Sequence, residues 1–219
     1  MITPLCWRAK GPWQSFTGPL AATSQSRQAF IGRVVRTHSH QCQDCGIASI
    51  ETPMHPTGYL EIRPINNDYD EASEDRWQAV CAFCHAQNVL MHSLESNRFK
   101  LIAAPWLSQI DLNKALWPLL AALNDRHHKS YSDALLAYKT FEKQETAVGT
   151  LINCLPTTST KPQDNIMDFL RSADLTMTDE QYEHRGRFLN GLRLLPVPAY
   201  FAEETAFMQD EAFIQALSS

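Results

Sequence analysis

Gln41-Cys42-Gln43-Asp44-Cys45-Gly46 and Cys81-Ala82-Phe83-Cys84 are the two stretches of sequence that decide the fold of this chain. Each contains a Cys-x-x-Cys pair, which can supply two thiolates from one tight turn. Two such turns complete the tetrahedral shell of four ligands that zinc prefers. Gly46, directly after the first pair, favours a turn with positive φ. The sequence therefore predicts one structural zinc ion per chain, bound by Cys42, Cys45, Cys81 and Cys84.

Other interpretations of the cysteines fit the flanking sequence less well. A redox-active Cys-x-x-Cys of the thioredoxin kind needs a βαβ frame, and neither flank supplies one. A disulfide framework is typical of secreted chains, but the start Met1 to Lys10 lacks a basic region followed by an apolar stretch. We therefore expect a reducing, cytoplasmic environment. Four thiolates leave no open coordination position, so the predicted metal is structural and the predicted site has no catalytic residue.

Composition and charge restrict the class of partner. The 219 residues include 19 basic and 24 acidic ones, giving a formal net charge of -5. Nucleic-acid binding draws much of its affinity from basic side chains, so this balance argues against DNA or RNA. No apolar run approaches the roughly 20 residues that span a bilayer, so direct membrane insertion is not expected. Protein partners are the favoured class.

The distribution of polar and apolar residues predicts an α+β fold with few strands. We expect an irregular arm over residues 1–26, a zinc-binding module over 27–98 and a helical region over 99–219 packed on it, all forming one compact unit. Within the module, residues 27–37 favour a helix, and residues 59–62 favour a strand. Residues 86–94 favour another helix, and residues 100–103 favour a short extended segment.

The helical region carries recognisable start signals. Ser108 followed by Asp111 is typical of a capping box, and Leu112, Leu116, Leu119 and Leu123 share one helical face. Pro118 should kink or divide that helix. A second helix should begin near Ser130 or Ser132 and point Leu135, Tyr138 and Phe141 inward. Further predictions are an exposed loop at 156–163, a helix around 166–170, a helix capped by Thr178 and ending near Gly191, an extended segment at 194–198 and a final helix at 201–217.

The order helix, first cysteine pair, strand, polar loop and second cysteine pair resembles the zinc-stapled HNH endonuclease fold. In that family the strand ends in a general-base His with a metal-binding Asp or His beside it, and an Asn precedes the third Cys by five positions. Here these positions hold Arg63, Pro64 and Arg76. The pattern also has a later His that completes the metal site, and His85 is the only one of these residues that is present. Without an imidazole at the strand end, nothing is placed to deprotonate an attacking water. The resemblance implies an HNH-like fold without its chemistry, so we do not expect an enzyme.

Two alternatives retain a nucleic-acid function. One is an HNH-like metal-dependent nuclease with a relocated base, such as His85 or His92. The other is DNA binding without cleavage, through a basic stripe made of Arg27, Arg33, Arg36 and Arg63. Arg33 and Arg36 would equally suit the solvated side of the first helix.

The chain as a whole also resembles the IcmJ/DotN family, a component of the Dot/Icm type IVB secretion coupling complex. The segments that carry this resemblance are Gly11-Pro12-Trp13-Gln14-Ser15-Phe16, the two cysteine turns, Leu101-Ile102-Ala103, Tyr138-Lys139-Thr140-Phe141 and Arg193-Leu194-Leu195-Pro196. They span most of the chain in the family's order. Only the cysteine turns have the strength of a motif.

This resemblance implies a non-catalytic, zinc-stabilised adaptor. Its expected partner is the C-terminal region of a DotL-like coupling ATPase, together with DotM-like and IcmS/IcmW-like components, and the complex recruits effector substrates. The implied location is the cytoplasm, peripheral to the inner membrane through that complex. Related members serve in transfer systems, so the resemblance leaves open whether the system exports effectors or conjugates DNA.

Overall fold

A computed structural model describes residues 23–52, 55, 57–66, 71–148, 164–168, 170, 172, 178 and 189–206. These residues combine helices with short antiparallel strands, which confirms the α+β class. Described residues up to His85 belong to one compact unit, here called the cysteine unit. Those from Ala86 to Thr205 belong to a second, here called the helical unit.

The cysteine unit consists of one long helix, a hairpin and a short helix. Its elements are α1 (Ser24–Thr37), β1 (Leu60–Pro64), a 3-10 turn (Glu74–Arg76), β2 (Trp77–Cys81) and α2 (Ala82–Ala86). β1 and β2 pair antiparallel, with Leu60 opposite Cys81 and Pro64 opposite Trp77. The predicted helix at 27–37 and strand at 59–62 are confirmed in type.

Helix α1 starts earlier than the sequence pattern predicts, so its first turn takes up the last residues of the predicted N-terminal arm. Thr23 caps it, because its side chain accepts a hydrogen bond from the Ser26 N–H. Phe30 lies on the buried face of α1 and meets Trp77 edge to face, with 5.5 Å between ring centroids. Edge-to-face aromatic pairs of this kind stabilise a core beyond the area they bury. This contact holds α1 on the β1–β2 hairpin.

The helical unit contains a second two-stranded sheet surrounded by helices. Its elements are α3 (Leu90–Glu95), β3 (Phe99–Ala103), α4 (Gln109–Asn124), α5 (Tyr131–Glu142), a 3-10 turn (Lys143–Glu145), β4 (Leu192–Pro196), a 3-10 turn (Pro198–Phe201) and α6 (Ala202–Ala206). Residues 164–168 are also helical, as the pattern around Ile166 predicts. The single helix predicted over 86–94 is wrong in detail: α2 ends at Ala86, and α3 begins at Leu90 after a turn.

The segment predicted to run extended over the core is a fully buried strand. β4 pairs antiparallel with β3, with Leu101 opposite Leu194. The backbone of Leu194 is also bonded by the Gln109 side chain, which donates to its carbonyl at 2.9 Å and accepts from its N–H at 2.8 Å. The Tyr138 hydroxyl donates to the carbonyl of Pro196 at 3.1 Å. These side chains occupy the strand edge that would otherwise invite another strand.

Helix α4 confirms its predicted start and excludes division of the helix, one of the two effects expected of its proline. Ser108 accepts a hydrogen bond from the Asp111 N–H at 3.0 Å, as a capping residue does. Pro118 lies inside the helix without dividing it. Pro118 and Lys114 are both exposed, so water can satisfy the Lys114 carbonyl that loses its helical hydrogen bond.

The inward faces of α4 and α5 differ from the predicted ones at several leucines. Leu112 and Leu116 are buried as predicted, whereas Leu119 and Leu123 are only half-buried and Leu120 is buried instead. On α5 the buried side chains are Ala134 and Tyr138; Leu135 is exposed and Phe141 half-buried. A single helix pattern does not reveal where the neighbouring helix is placed, and this placement sets the width of the buried stripe.

Several predictions fall outside the described residues. These are most of the irregular arm over residues 1–26, the loop at 156–163, most of the helix expected between Thr178 and Gly191, and most of the final helix. Among the helices that are described, none is long and apolar enough to cross a bilayer.

Replacing Gln109 with methionine should destabilise the helical unit. Methionine has a similar length but leaves the N–H and carbonyl of Leu194 without their side-chain partner, at roughly 1–3 kcal/mol per unsatisfied buried group. Urea unfolding should show a loss of about 2 kcal/mol or more. The control is Leu136→Ala on the exposed face of α5, which should change the free energy of unfolding by less than about 0.5 kcal/mol. Equal midpoints for both variants would contradict this role of Gln109.

Candidate metal centre

The four cysteines come from three local structures. Cys42 and Cys45 lie in the turn that follows α1. Cys81 is the last residue of β2, and Cys84 lies on α2 immediately after it. All four are free thiols and all are buried. The β1–β2 hairpin thus presents one cysteine pair, while the end of α1 leads into the other.

The first pair sits in a tight hairpin whose backbone shapes it as a metal-binding turn. Gln41 and Ala48 form an isolated antiparallel bridge at its base. The Cys42 N–H donates to the Ile47 carbonyl at 2.9 Å, and the Gly46 N–H donates to the Cys42 carbonyl at 2.8 Å. Gly46 has φ +78°, which confirms the positive φ predicted for it and explains the need for glycine.

A backbone hydrogen bond ties this turn to the strand that carries the second pair. The Gln43 N–H donates to the Ala79 carbonyl on β2 at 2.9 Å. Ala79 lies two residues before Cys81 and is fully buried. The two cysteine pairs are therefore held together by main-chain contacts as well as by their own side chains.

The four sulfur atoms lie at the separations that one metal ion requires. All lie within 4.8 Å of one another, and Cys45 Sγ is 3.7 Å from Cys81 Sγ. Four sulfurs at ~2.3 Å from a central ion in tetrahedral geometry would be about 3.8 Å apart. A disulfide needs roughly 2.05 Å, so the observed spacing is that of a ligand set. These residues could hold a metal ion, as the sequence predicts.

Burial and mutual hydrogen bonding give the thiols different acidities. Hydrogen bonds from Cys45, Cys81 and Cys84 lower the pKa of Cys42. Burial raises the pKa of Cys81 well above its usual value, and the hydrogen bond to Cys42 raises that of Cys84. Without a metal, Cys42 is therefore the favoured thiolate, while Cys81 and Cys84 keep their protons. A cation can replace the protons that now screen the sulfur atoms from one another.

Tyr59 lies close enough to sense the charge of the cluster. Burial raises the pKa of its hydroxyl above the usual range, and negative charge on Cys81, Cys45 and Cys42, once these thiols are ionised, raises that pKa further. The ring is 6% exposed. Tyr59 therefore forms part of the apolar wall of the centre and stays neutral, which keeps water away from the sulfur atoms.

Arg63, at a position where the HNH pattern carries catalytic side chains, is bonded to the first cysteine turn. Its Nη2 lies 2.7 Å from Asp44 Oδ1, and each side chain is 14% exposed. With its amide oriented to accept, Gln78 on β2 also receives hydrogen bonds from Arg63 at 2.5 and 2.6 Å. Charge-assisted bonds with limited exposure are stronger than surface ion pairs. Arg63 therefore fixes the turn to the hairpin.

The other predicted positions are spread around the same hairpin. Pro64 ends β1 opposite Trp77, and Arg76 lies exposed in the 3-10 turn before β2. His85 forms a hydrogen-bonded pair with Glu61 through Nδ1 and Oε2. Glu61 lies on β1 opposite Val80, the residue before Cys81. The pair therefore links α2 to β1 close to the second cysteine pair.

Sequence reasoning missed the partners Asp44, Glu61 and Gln78. The available signal was the alternation along β1, where Leu60 and Ile62 are buried and the intervening Glu61 and Arg63 point to the other face. Period-two alternation predicts that these two side chains share a face. It does not predict which residues of the cysteine turn or of α2 meet them.

Comparisons with protein-family models and with curated proteins find no match for this chain. The chemistry of the centre is therefore inferred from its own residues. Four sulfur ligands fill a tetrahedral shell, and the side chains around it are apolar or already bonded to one another. Such a centre is suited to holding a fold together.

Replacing Cys81 with serine should yield metal-free or insoluble protein. Cys81 is fully buried at the end of β2, and apparent zinc-binding free energies of about 10–16 kcal/mol in small domains match the whole stability of a domain. Elemental analysis of the purified protein measures this directly. The matched control is Cys154→Ser, which belongs to neither Cys-x-x-Cys pair and should keep its metal. A soluble Cys81→Ser protein with stoichiometric metal would contradict the ligand assignment.

Metal affinity should rise steeply with pH around neutrality. Because the pKa values of Cys81 and Cys84 are raised, binding must release at least their two protons, and protons compete with the metal as the pH falls. The apparent affinity should therefore change by about a hundredfold per pH unit, tenfold for each proton. Competition with a chromophoric chelator from pH 6 to 8 gives the slope. A slope near zero would show that the thiols are already ionised in the metal-free protein.

Proposed function

We propose that this chain is a non-catalytic, zinc-stabilised adaptor of the IcmJ/DotN kind. In this proposal it binds the C-terminal region of a DotL-like coupling ATPase and helps to recruit effector substrates for a type IVB secretion system. The observation that carries the proposal is the buried cluster of four cysteines, whose sulfur atoms lie within 4.8 Å of one another. This cluster is built on a strand–strand–helix frame in which Arg63, at one of the would-be catalytic positions, bonds Asp44.

The choice of zinc rests on the ligand set. Tetrahedral sites made only of thiolates suit zinc or iron, and zinc is the usual ion where two Cys-x-x-Cys turns form a structural site. Cys42, Cys45, Cys81 and Cys84 would hold it. When bound, the ion would cross-link the turn after α1 to the end of the β1–β2 hairpin. A shell of four sulfur ligands has no position for a substrate.

The absence of an enzymatic activity is supported by the contacts at the end of β1. The order β1, β2 and α2 agrees with the resemblance to the HNH fold. In place of a general base, however, that strand carries Arg63, whose guanidinium bonds Asp44. A guanidinium cannot accept a proton at neutral pH. His85 is engaged with Glu61 and lies on α2.

The nucleic-acid alternative loses support from the ion pairs of its arginines. Arg33 Nε lies 2.6 Å from Glu74 Oε1, and Arg63 pairs with Asp44. Each pair neutralises a charge that phosphate contacts would need, and the whole chain carries a net charge of -5. A protein surface is the better partner.

A role in a larger assembly is supported by large apolar side chains that face solvent. In the helical unit Trp106 is 69% exposed and Leu136 is 70% exposed. Tryptophan is enriched at the centres of protein interfaces. The proposed assembly places the chain at the inner membrane only through its partners, with DotM-like and IcmS/IcmW-like proteins as further components.

The test is affinity purification of the tagged chain from its native cell, with mass spectrometry and metal analysis on the same eluate. We expect a membrane-associated coupling ATPase and about one zinc per chain, as a closed four-thiolate site requires. Recovery of iron alone would contradict the choice of metal. Recovery of nucleic acid without a protein partner would contradict the adaptor, as would magnesium-dependent nicking of plasmid DNA that Cys154→Ser retains and His85→Ala loses.

A further inference from the structure

Arg193 is a buried cation whose charge is not balanced within the described residues. Arg193 is 1% exposed and is the second residue of β4, opposite Ile102 on β3. Nε donates to the Leu107 carbonyl and Nη1 to the Leu192 carbonyl, each at 2.5 Å. The remaining nitrogen, Nη2, has no hydrogen-bond partner in the described part of the chain.

This arrangement is unfavourable as it stands. Both hydrogen-bond partners of Arg193 are neutral carbonyls, and burial lowers the pKa of the guanidinium with no opposing carboxylate among the described residues. A charge buried without an opposite charge costs several kcal/mol, and a planar guanidinium prefers a carboxylate that takes two of its N–H donors. An unmatched donor of this kind marks the place where an anion would be stabilised.

The turn beside Arg193 exposes a tryptophan. The Ala104 N–H donates to the Gly191 carbonyl at 2.8 Å, and the Leu107 N–H donates to the Ala104 carbonyl at 3.2 Å. Trp106 lies at the tip of this turn, directly before the residue whose carbonyl receives Arg193 Nε, and is 69% exposed. The turn contacts the buried guanidinium through the Leu107 carbonyl, so Trp106 and Arg193 belong to the same local structure.

We propose that this β3–α4 turn, residues 104–108, is the docking site for a partner segment that carries a carboxylate beside an apolar side chain. Arg193 receives the carboxylate through Nη2, and Trp106 packs against the apolar side chain. Arginine and tryptophan are the residue types that most often dominate interface energetics. The unbalanced charge of Arg193 is what selects an acidic segment over a neutral or basic one. The inference rests on the proposed adaptor function and assigns its contact residues.

The first experiment compares variants of the tagged full chain recovered from the native cell. We expect Trp106→Ala and Arg193→Met each to reduce recovery of the partner at least about tenfold, or 1.4 kcal/mol. Tyr200→Ala, a 50% exposed aromatic residue of the same unit, should leave recovery unchanged. Thermal melts and metal content check that each variant is folded. Trp106→Ala keeps the test decisive if Arg193→Met does not fold.

The second experiment identifies the charge on the partner. A photo-crosslinking p-benzoylphenylalanine at position 106 should label a partner segment that contains Asp or Glu. Changing those residues to Asn or Gln should weaken the partner's binding to the wild-type chain at least about tenfold. The same changes should weaken its binding to the Arg193→Met chain much less, because the carboxylate and Arg193 interact as a pair.

Each outcome decides between the two proposals. If the wild-type chain recovers no partner, the adaptor function itself fails, and the docking site fails with it. If a partner is recovered equally by wild type, Trp106→Ala and Arg193→Met, the adaptor stands and the docking site is wrong. Crosslinks only to a second copy of this chain, or to a segment without a carboxylate, also overturn it. Equal effects of the Asn and Gln changes on wild type and Arg193→Met would overturn the assigned role of Arg193.

Discussion

Cys45 and Cys81 are 36 residues apart in the chain, yet their sulfur atoms lie 3.7 Å apart. Buried thiols at this spacing either share protons or share a metal ion, because thiolates without a cation would repel one another. The rest of the cysteine unit is arranged around this constraint. Gly46 permits the first turn, the Gln43–Ala79 hydrogen bond aligns it with β2, and Tyr59 shields the sulfur atoms.

A second layer of polar contacts surrounds the centre on the hairpin. Arg63 bonds Asp44 in the first cysteine turn, and Glu61 bonds His85 next to the last cysteine. Arg63 therefore contacts the turn that carries Cys42 and Cys45, and Glu61 contacts the residue that follows Cys84. In the proposed function these side chains have a structural role in place of the catalytic role that an HNH site would give them. Arg63 and His85 are engaged in holding the two cysteine pairs in place.

The helical unit contains a sheet of only two strands, so the outer edge of each strand has to be covered. An uncovered strand edge would invite pairing with another chain. Here Gln109 bonds both backbone groups of Leu194, and Tyr138 bonds the carbonyl of Pro196, which has no N–H to offer. Arg193 differs from these residues, because its side chain is buried and its Nη2 has no hydrogen-bond partner among the described residues. A group with so large an unmet interaction is the natural candidate for contact with something outside the described residues.

The sequence by itself determined which four cysteines come together as a possible metal site, the positive φ of Gly46, the α+β class and the start of α4. These depend on local spacing and on residue type, which sequence shows directly. It did not determine that Leu135 faces solvent, that Pro118 leaves α4 undivided, or that residues 192–196 form a buried strand. Nor did it identify Asp44 as the partner of Arg63, or Arg193 as an unbalanced buried charge. Those features depend on which residues distant in the chain come into contact. Contacts between elements determine which side chains are buried and which charges are paired. A local sequence pattern does not contain this information, so only the tertiary structure decides it.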